Sequence, residues 1–102
     1  MIHVVAILTA KPGQRAAVLE AFAANRPNVL AEQGCIEYGA ATDTEGVGPI
    51  QTPVGPDTFM VIEKWESVDA LKAHGAAPHM KAFGAKVKDM MAGRVIHVLS
   101  PV

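Results

Sequence analysis

The sequence predicts an α+β domain with the element order βαββαβ and one four-stranded antiparallel sheet. Three stretches carry that prediction. Residues 2–10 (IHVVAILTA) read as a strand that is apolar at even and odd positions alike. Residues 59–83 pass from an apolar run through a capped helix start to a second helix begun by Pro78, which splits the second helical region in two. Residues 94–99 (RVIHVL) close the chain on another strand.

In the first strand, Ile2, Val4, Ala6 and Leu8 occupy one face and Val5 and Ile7 the other, beside His3 and Thr9. A strand apolar on both faces needs cover on both. Two helices can cover one face of a small sheet, and a second copy of the same sheet is the simplest cover for the other. The expected partner is therefore a second chain, in a homodimer through the sheet face.

Lys11-Pro12-Gly13 turns the chain into a first helix, with Val18, Leu19, Phe22 and Ala23 as the buried stripe and Arg15 and Glu20 outside. Pro27 is expected to kink this helix or start a fresh turn, and Gly34 to cap its C-terminus. Residues 35–42 form the second strand. Cys35 reads there as a small buried hydrophobe, and Tyr38 as a half-buried ring whose hydroxyl could line a cavity and meet a phenol. Residues 43–57 are rich in Gly and Pro and too long for a hairpin turn. Val47, Ile50 and Val54 make them too apolar for a plain linker, so an ordered flap is expected, packed on its own domain, on a partner or over a pocket.

Phe59-Met60-Val61-Ile62 suits a strand buried on both faces. Glu63 and Lys64 are expected to mark its approach to water, and Trp65 its end. Ser67 is a good N-cap, and Asp69 follows in the first turn, where the helix dipole favours negative charge. Gly75-Ala76-Ala77 interrupts this helix. Pro78 suits the first position of the next, because its missing N–H would be unpaired there anyway. Met80, Phe83, Val87, Met90 and Met91 then recur at spacings of three and four. On the last strand His97 shares a face with Val95 and Leu99, and in a sheet whose first and last strands are antiparallel neighbours, as the resemblance given below implies, it should approach His3. No Asp, Glu or Cys on these strands completes a zinc-type ligand set, so no metal is expected.

A chain of 102 residues suits one domain, spanning 1–102. With 50% hydrophobic and 19% charged residues it is too apolar for disorder. A formal net charge of −1 without a basic cluster argues against a nucleic-acid surface. No apolar run reaches the ~18 residues of a membrane span, and Met1-Ile2-His3 lacks the features of a signal peptide. One cysteine cannot form an internal disulfide. The expectation is a cytoplasmic protein with neither nucleic-acid nor membrane partner. No dinucleotide, P-loop, nucleophile-elbow, zincin or CxxC motif occurs.

The run EKWES-x-x-AL-x-x-H followed by APHMKAF resembles the antibiotic biosynthesis monooxygenase family, which includes the small quinol monooxygenases. MIHVVAILTAKPGQ at the start, AEQGCIEYG at 31–39 and RVIHVLSPV at the end extend the resemblance over nearly the whole chain. It implies a ferredoxin-like fold whose dimer forms an α+β barrel. It also implies oxygenation of a small aromatic quinol or polyphenol by O2 without metal, flavin or other cofactor. Trp65 and His79 are the positions that carry over. The asparagines used by some relatives on the sheet near the tryptophan, and by haem-degrading relatives on the first strand, have no counterpart here.

His79 opens its helix, where the dipole disfavours imidazolium. A neutral imidazole can act as a general base near neutral pH or serve structurally at the cap. His79 and His74 are thus the catalytic candidates, with Trp65, Phe83 and Tyr38 as walls for an aromatic substrate. The same residues also suit a non-catalytic small-molecule binding domain, or an isomerase or lyase working on a lactone or enol.

Overall fold

A computed structural model describes residues Met1–Val102. The strands are β1 (Ile2–Ala10), β2 (Cys35–Ala41), β3 (Thr58–Trp65) and β4 (Met91–Leu99), and the helices α1 (Arg15–Leu30), α2 (Val68–Ala76) and α3 (Pro78–Val87). One antiparallel sheet has the order β2-β3-β1-β4. This is the ferredoxin-like α+β arrangement, with β1 and β3 central.

Register decides which residues reach the core. Ile2 pairs with Trp65, Val4 with Glu63, Ala6 with Val61 and Leu8 with Phe59. These residues share the helix-covered face, because alternate residues of a strand point the same way. Phe59 and Trp65 on β3, and Val18 and Val29 on α1, are fully buried there. The opposite face carries His3, Val5 and Ile7, with Met60 and Ile62 on β3 and Val95, His97 and Leu99 on β4; no helix covers it, and the 43–57 segment reaches it only beside Met60 and Ile62. His97 pairs with Val5 and His3 with Leu99, so the two histidines are diagonal neighbours on that face.

The helices follow local chemistry. The Ser67 hydroxyl accepts the Ala70 backbone N–H at 3.1 Å, Asp69 sits in the first turn of α2, and Pro78 opens α3. α1 runs unbroken through Pro27, so the proline starts no fresh turn. Its buried face is Val18, Ala21, Phe22 and Val29; Ala23, one position round the helix, is exposed. Ala31 caps α1, not Gly34. Gly34 instead makes the turn into β2 at φ +85°, and a Cβ there would lie 2.6 Å from the Ala70 Cβ.

The apolar periodicity after Pro78 runs on beyond the helix it predicts. α3 ends at Val87, Lys88–Met90 make a single 3-10 turn, and Met91 already belongs to β4. Pairing outweighs helical spacing there: the Met90 carbonyl accepts the Lys11 N–H at 2.8 Å, and Met91 pairs with Ala10. In the 43–57 segment the tip is exposed, with Ile50 87% accessible. The return leg is anchored: Asp43 accepts the backbone N–H groups of Val54 and Gly55 at 2.8 and 3.0 Å, and Arg15 donates to the carbonyls of Gly55 and Thr58. The flap thus packs on its own domain at its base only.

Candidate active site

Between the helices and the covered face of the sheet lies a cavity of about 510 Å³. The sheet supplies Val4, Ala6 and Val61, α1 supplies Phe22, and α3 supplies Met80 and Phe83. This lining is apolar, and the exposed Lys88, Arg94 and Ile96 bring the cavity out to the surface beside β4. Three polar side chains interrupt the apolar interior: Tyr38 on β2, Glu63 on β3 and His74 on α2.

His74 is 6% exposed although it belongs to a surface helix. Its imidazole packs on the Trp65 indole with ring centroids 4.7 Å apart, and edge-on to Tyr38 at 5.4 Å. Its Nδ1 lies 2.8 Å from Glu32 Oε2. A carboxylate oxygen accepts, so Nδ1 carries the proton and donates. In the neutral ring Nε2 then carries the lone pair. It has no hydrogen-bond partner in the protein, and no sealed side-chain nitrogen or oxygen lacks one. Nε2 is therefore accessible, on a residue that lines the cavity.

The same Glu32 oxygen accepts from His79 Nε2 at 3.0 Å. Glu32 lies just past the end of α1, where its N–H bonds the Val29 carbonyl, so one carboxylate ties α1 to both α2 and α3. His79 is about a quarter exposed and does not line the cavity. Trp65 is fully buried behind His74 and does not line it either, whereas Phe83 and Tyr38 do.

Glu63 was expected to approach water and is instead 6% exposed. The reason is its place two residues before Trp65, which puts both side chains on the covered face. Trp65 Nε1 donates to Glu63 Oε1 at 2.8 Å. The second carboxylate oxygen has no protein partner and is not sealed, on a residue that lines the cavity. Burial pushes the Glu63 carboxyl pKa up, partly offset by the indole hydrogen bond and by His74. Tyr38 is 5% exposed, and burial, followed by the nearby Glu63 charge, holds its pKa well above that of an ordinary phenol. It remains a hydroxyl donor at any physiological pH. Cys35 is also shifted up, by burial first and then by Glu32, which makes it a poor thiolate.

Glu32 and Glu63 are the polar side chains of this candidate site that sequence reasoning missed. Period-two alternation from Phe59 through Val61 to Trp65 was signal enough to turn Glu63 inward. Glu32 had no such signal, because it lies in a turn whose direction only the packed helices define. No group of three or more His, Cys, Asp or Glu side chains is placed to hold a metal ion, and no helix is long and apolar enough to cross a membrane.

A family model described as "Antibiotic biosynthesis monooxygenase" matches residues 1–86. The Escherichia coli (strain K12) protein named "Probable quinol monooxygenase YgiN" is 40% identical over 103 aligned positions, covering 99% of this chain and 98% of that protein. Among solved structures, PA3566 from Pseudomonas aeruginosa superposes with a TM-score of 0.82 at 24% identity, covering 99% of this chain and 93% of its own. Rv0793 from Mycobacterium tuberculosis gives 0.79 at 24% identity, covering 99% and 94%. At that identity the two structures bear on the fold alone.

Proposed function

The chain belongs to the antibiotic biosynthesis monooxygenase family, and from that premise we propose that it oxygenates a small aromatic quinol with O2, using the substrate itself as the source of electrons. The observation that carries this reading is the apolar cavity lined by His74, whose Nε2 has no protein partner and whose Nδ1 is tied to Glu32. His74 Nε2 takes a phenolic proton, and the resulting imidazolium is held by the Glu32 carboxylate. His79 acts through the same carboxylate rather than on the substrate.

The reaction balances without an outside reductant. Dioxygen takes four electrons from the quinol. One oxygen atom replaces a ring hydrogen as a hydroxyl, the other leaves as water, and the ring emerges as a hydroxyquinone. Deprotonation raises the electron density of the ring, and the phenolate passes one electron to O2. The radical pair then joins at a ring carbon to give a hydroperoxide, which loses water. The Tyr38 hydroxyl donates to the substrate oxygen as charge develops on it. Phe83 and Phe22 flank the ring, and the apolar lining excludes water from the anion.

The uncovered sheet face supports a homodimer. Ile62, Val95 and Leu99 are 37%, 52% and 48% exposed on one flat surface beside Val5 and Ile7. A contiguous apolar face of this kind marks an interface.

The test is oxygen uptake on a panel of hydroquinones with metal-free protein. Wild type is expected to exceed the autoxidation rate, and His74→Ala to lose ~10²-fold or more of that excess. His79→Ala is expected to lose much less. If His79→Ala abolishes turnover while His74→Ala retains it, the roles given to the two histidines are wrong.

A further inference from the structure

We propose that Glu63 is a second ligand-facing acceptor in the cavity, and that with His74 it selects arenes bearing two hydroxyl groups over those bearing one. This deepens the quinol reading and rests on it for the identity of the ring. The grounds lie in the geometry of three side chains.

Glu63 is 94% buried by its 6% exposure, yet only one of its two oxygens is committed within the protein. The indole N–H of Trp65 fixes that oxygen and thereby the orientation of the other. The second oxygen is unpartnered and unsealed, in a residue that lines an otherwise apolar chamber. A carboxylate in such surroundings is costly unless a donor reaches it. Trp65 Nε1 goes to Oε1 and both imidazole N–H groups go to Glu32; the hydroxyl of Tyr38, the cross-strand partner of Glu63, is the one neighbouring donor without a protein acceptor. Lys88 and Arg94, also on the cavity lining, make no ion pair with it. A hydroxyl of a ligand seated in the cavity supplies a donor to this oxygen.

His74 also lines the cavity, and in its neutral form the unpartnered Nε2 is a second acceptor. A ring with two hydroxyls satisfies both acceptors, and a singly hydroxylated ring leaves one buried acceptor without a partner. A site built around ligand hydroxyls strongly rejects the analogue lacking one, because its own polar group is then left unpaired. Tyr38, a donor held in its protonated form, completes the set by addressing an oxygen lone pair of the ligand.

The test is anaerobic calorimetric binding of a naphthohydroquinone and of its mono-O-methyl ether, which differ by one donor and keep the ring. Wild type is expected to bind the diol at least tenfold more tightly. In Glu63→Gln, whose amide oxygen still accepts from Trp65 but whose outward group becomes a donor, the preference is expected to shrink to about twofold. Equal wild-type affinities would overturn the proposal, as would a full diol preference in a folded Glu63→Gln protein. Should that variant not fold, Trp65→Phe untethers the carboxylate and is expected to cut the preference at least threefold; an unchanged preference there would overturn it equally. Because binding is read without O2, a chain that binds diols selectively but oxidises none would refute the monooxygenase reading and leave this one standing.

Discussion

Glu32→Gln separates the chemical role of the Glu32 carboxylate from its structural one. Glu32 Oε2 accepts from His74 at 2.8 Å and from His79 at 3.0 Å. Glutamine keeps the shape and one acceptor oxygen but loses the charge, and a charge-assisted hydrogen bond is roughly twice as strong as a neutral one. About 1 kcal/mol is lost at the buried His74 contact, and less at the more exposed His79. For a domain of this size the melting temperature should fall by ~4–8 °C. Under the proposed mechanism the larger effect is on turnover. An amide can turn its NH2 group toward Nδ1, which drives the proton to Nε2 and removes the free lone pair from the cavity. The loss of an oriented general base costs ~10²-fold or more in kcat. Thermal unfolding followed by circular dichroism gives the first number and initial-rate kinetics the second. Imidazole nitrogen shifts in NMR report the tautomer directly. A glutamine variant that melts as expected while kcat stays within twofold would refute the argument that Glu32 sets the state of His74.

Four further outcomes follow from other parts of the molecule. The Glu63 carboxyl pKa is raised in the fold, so above its ordinary value near 4.5 the native state holds a proton that the unfolded chain has released, and on this account stability falls as pH rises. Glu63→Gln should therefore raise the melting temperature at pH 7–8, with the gain vanishing below about pH 4.5 in pH-dependent unfolding; a variant less stable at pH 8 than wild type would contradict this. Gly34→Ala combines positive φ with a 2.6 Å approach to Ala70 and should cost ~2–5 kcal/mol in urea unfolding, whereas Gly13→Ala, also at positive φ but in open space, should cost only ~1 kcal/mol. Asp43→Ala removes the acceptor for the Val54 and Gly55 amides, and those amides should exchange with deuterium at least tenfold faster, with little change in the sheet. Val95→Asp places a charge on the open sheet face and, if that face forms the proposed homodimer, should give a monomer in light scattering where wild type gives a dimer.

Much of the architecture was legible because it rests on local chemistry. The alternation in β1, the Ser67 cap and the Pro78 restart each have one cheap solution. The errors fall where tertiary pairing outweighs local pattern. Met90 and Met91 keep helical spacing, yet backbone partners on Lys11 and Ala10 draw them out of the helix. Gly34 has the composition of a helix cap but is needed for its close approach to Ala70. The site divides in the same way. The sequence pointed to His74, His79, Trp65, Phe83 and Tyr38 as a group but not to their order around the cavity. Local rules single out His79, which stands at a helix start. The wall is instead reached by His74, through burial against Trp65 and Tyr38. Glu63 looked like a strand-end charge until its register against Val4 turned it inward.

The most direct test of the central claim is turnover of a hydroquinone under oxygen-18 gas, comparing wild type with His74→Ala and reading the product by mass spectrometry. The account predicts one labelled oxygen atom in the hydroxyquinone and one in water, with labelled product falling ~10²-fold in His74→Ala at an unchanged melting temperature or a modestly lower one. Product oxygen drawn from solvent, or labelling undiminished by the loss of His74, would contradict it.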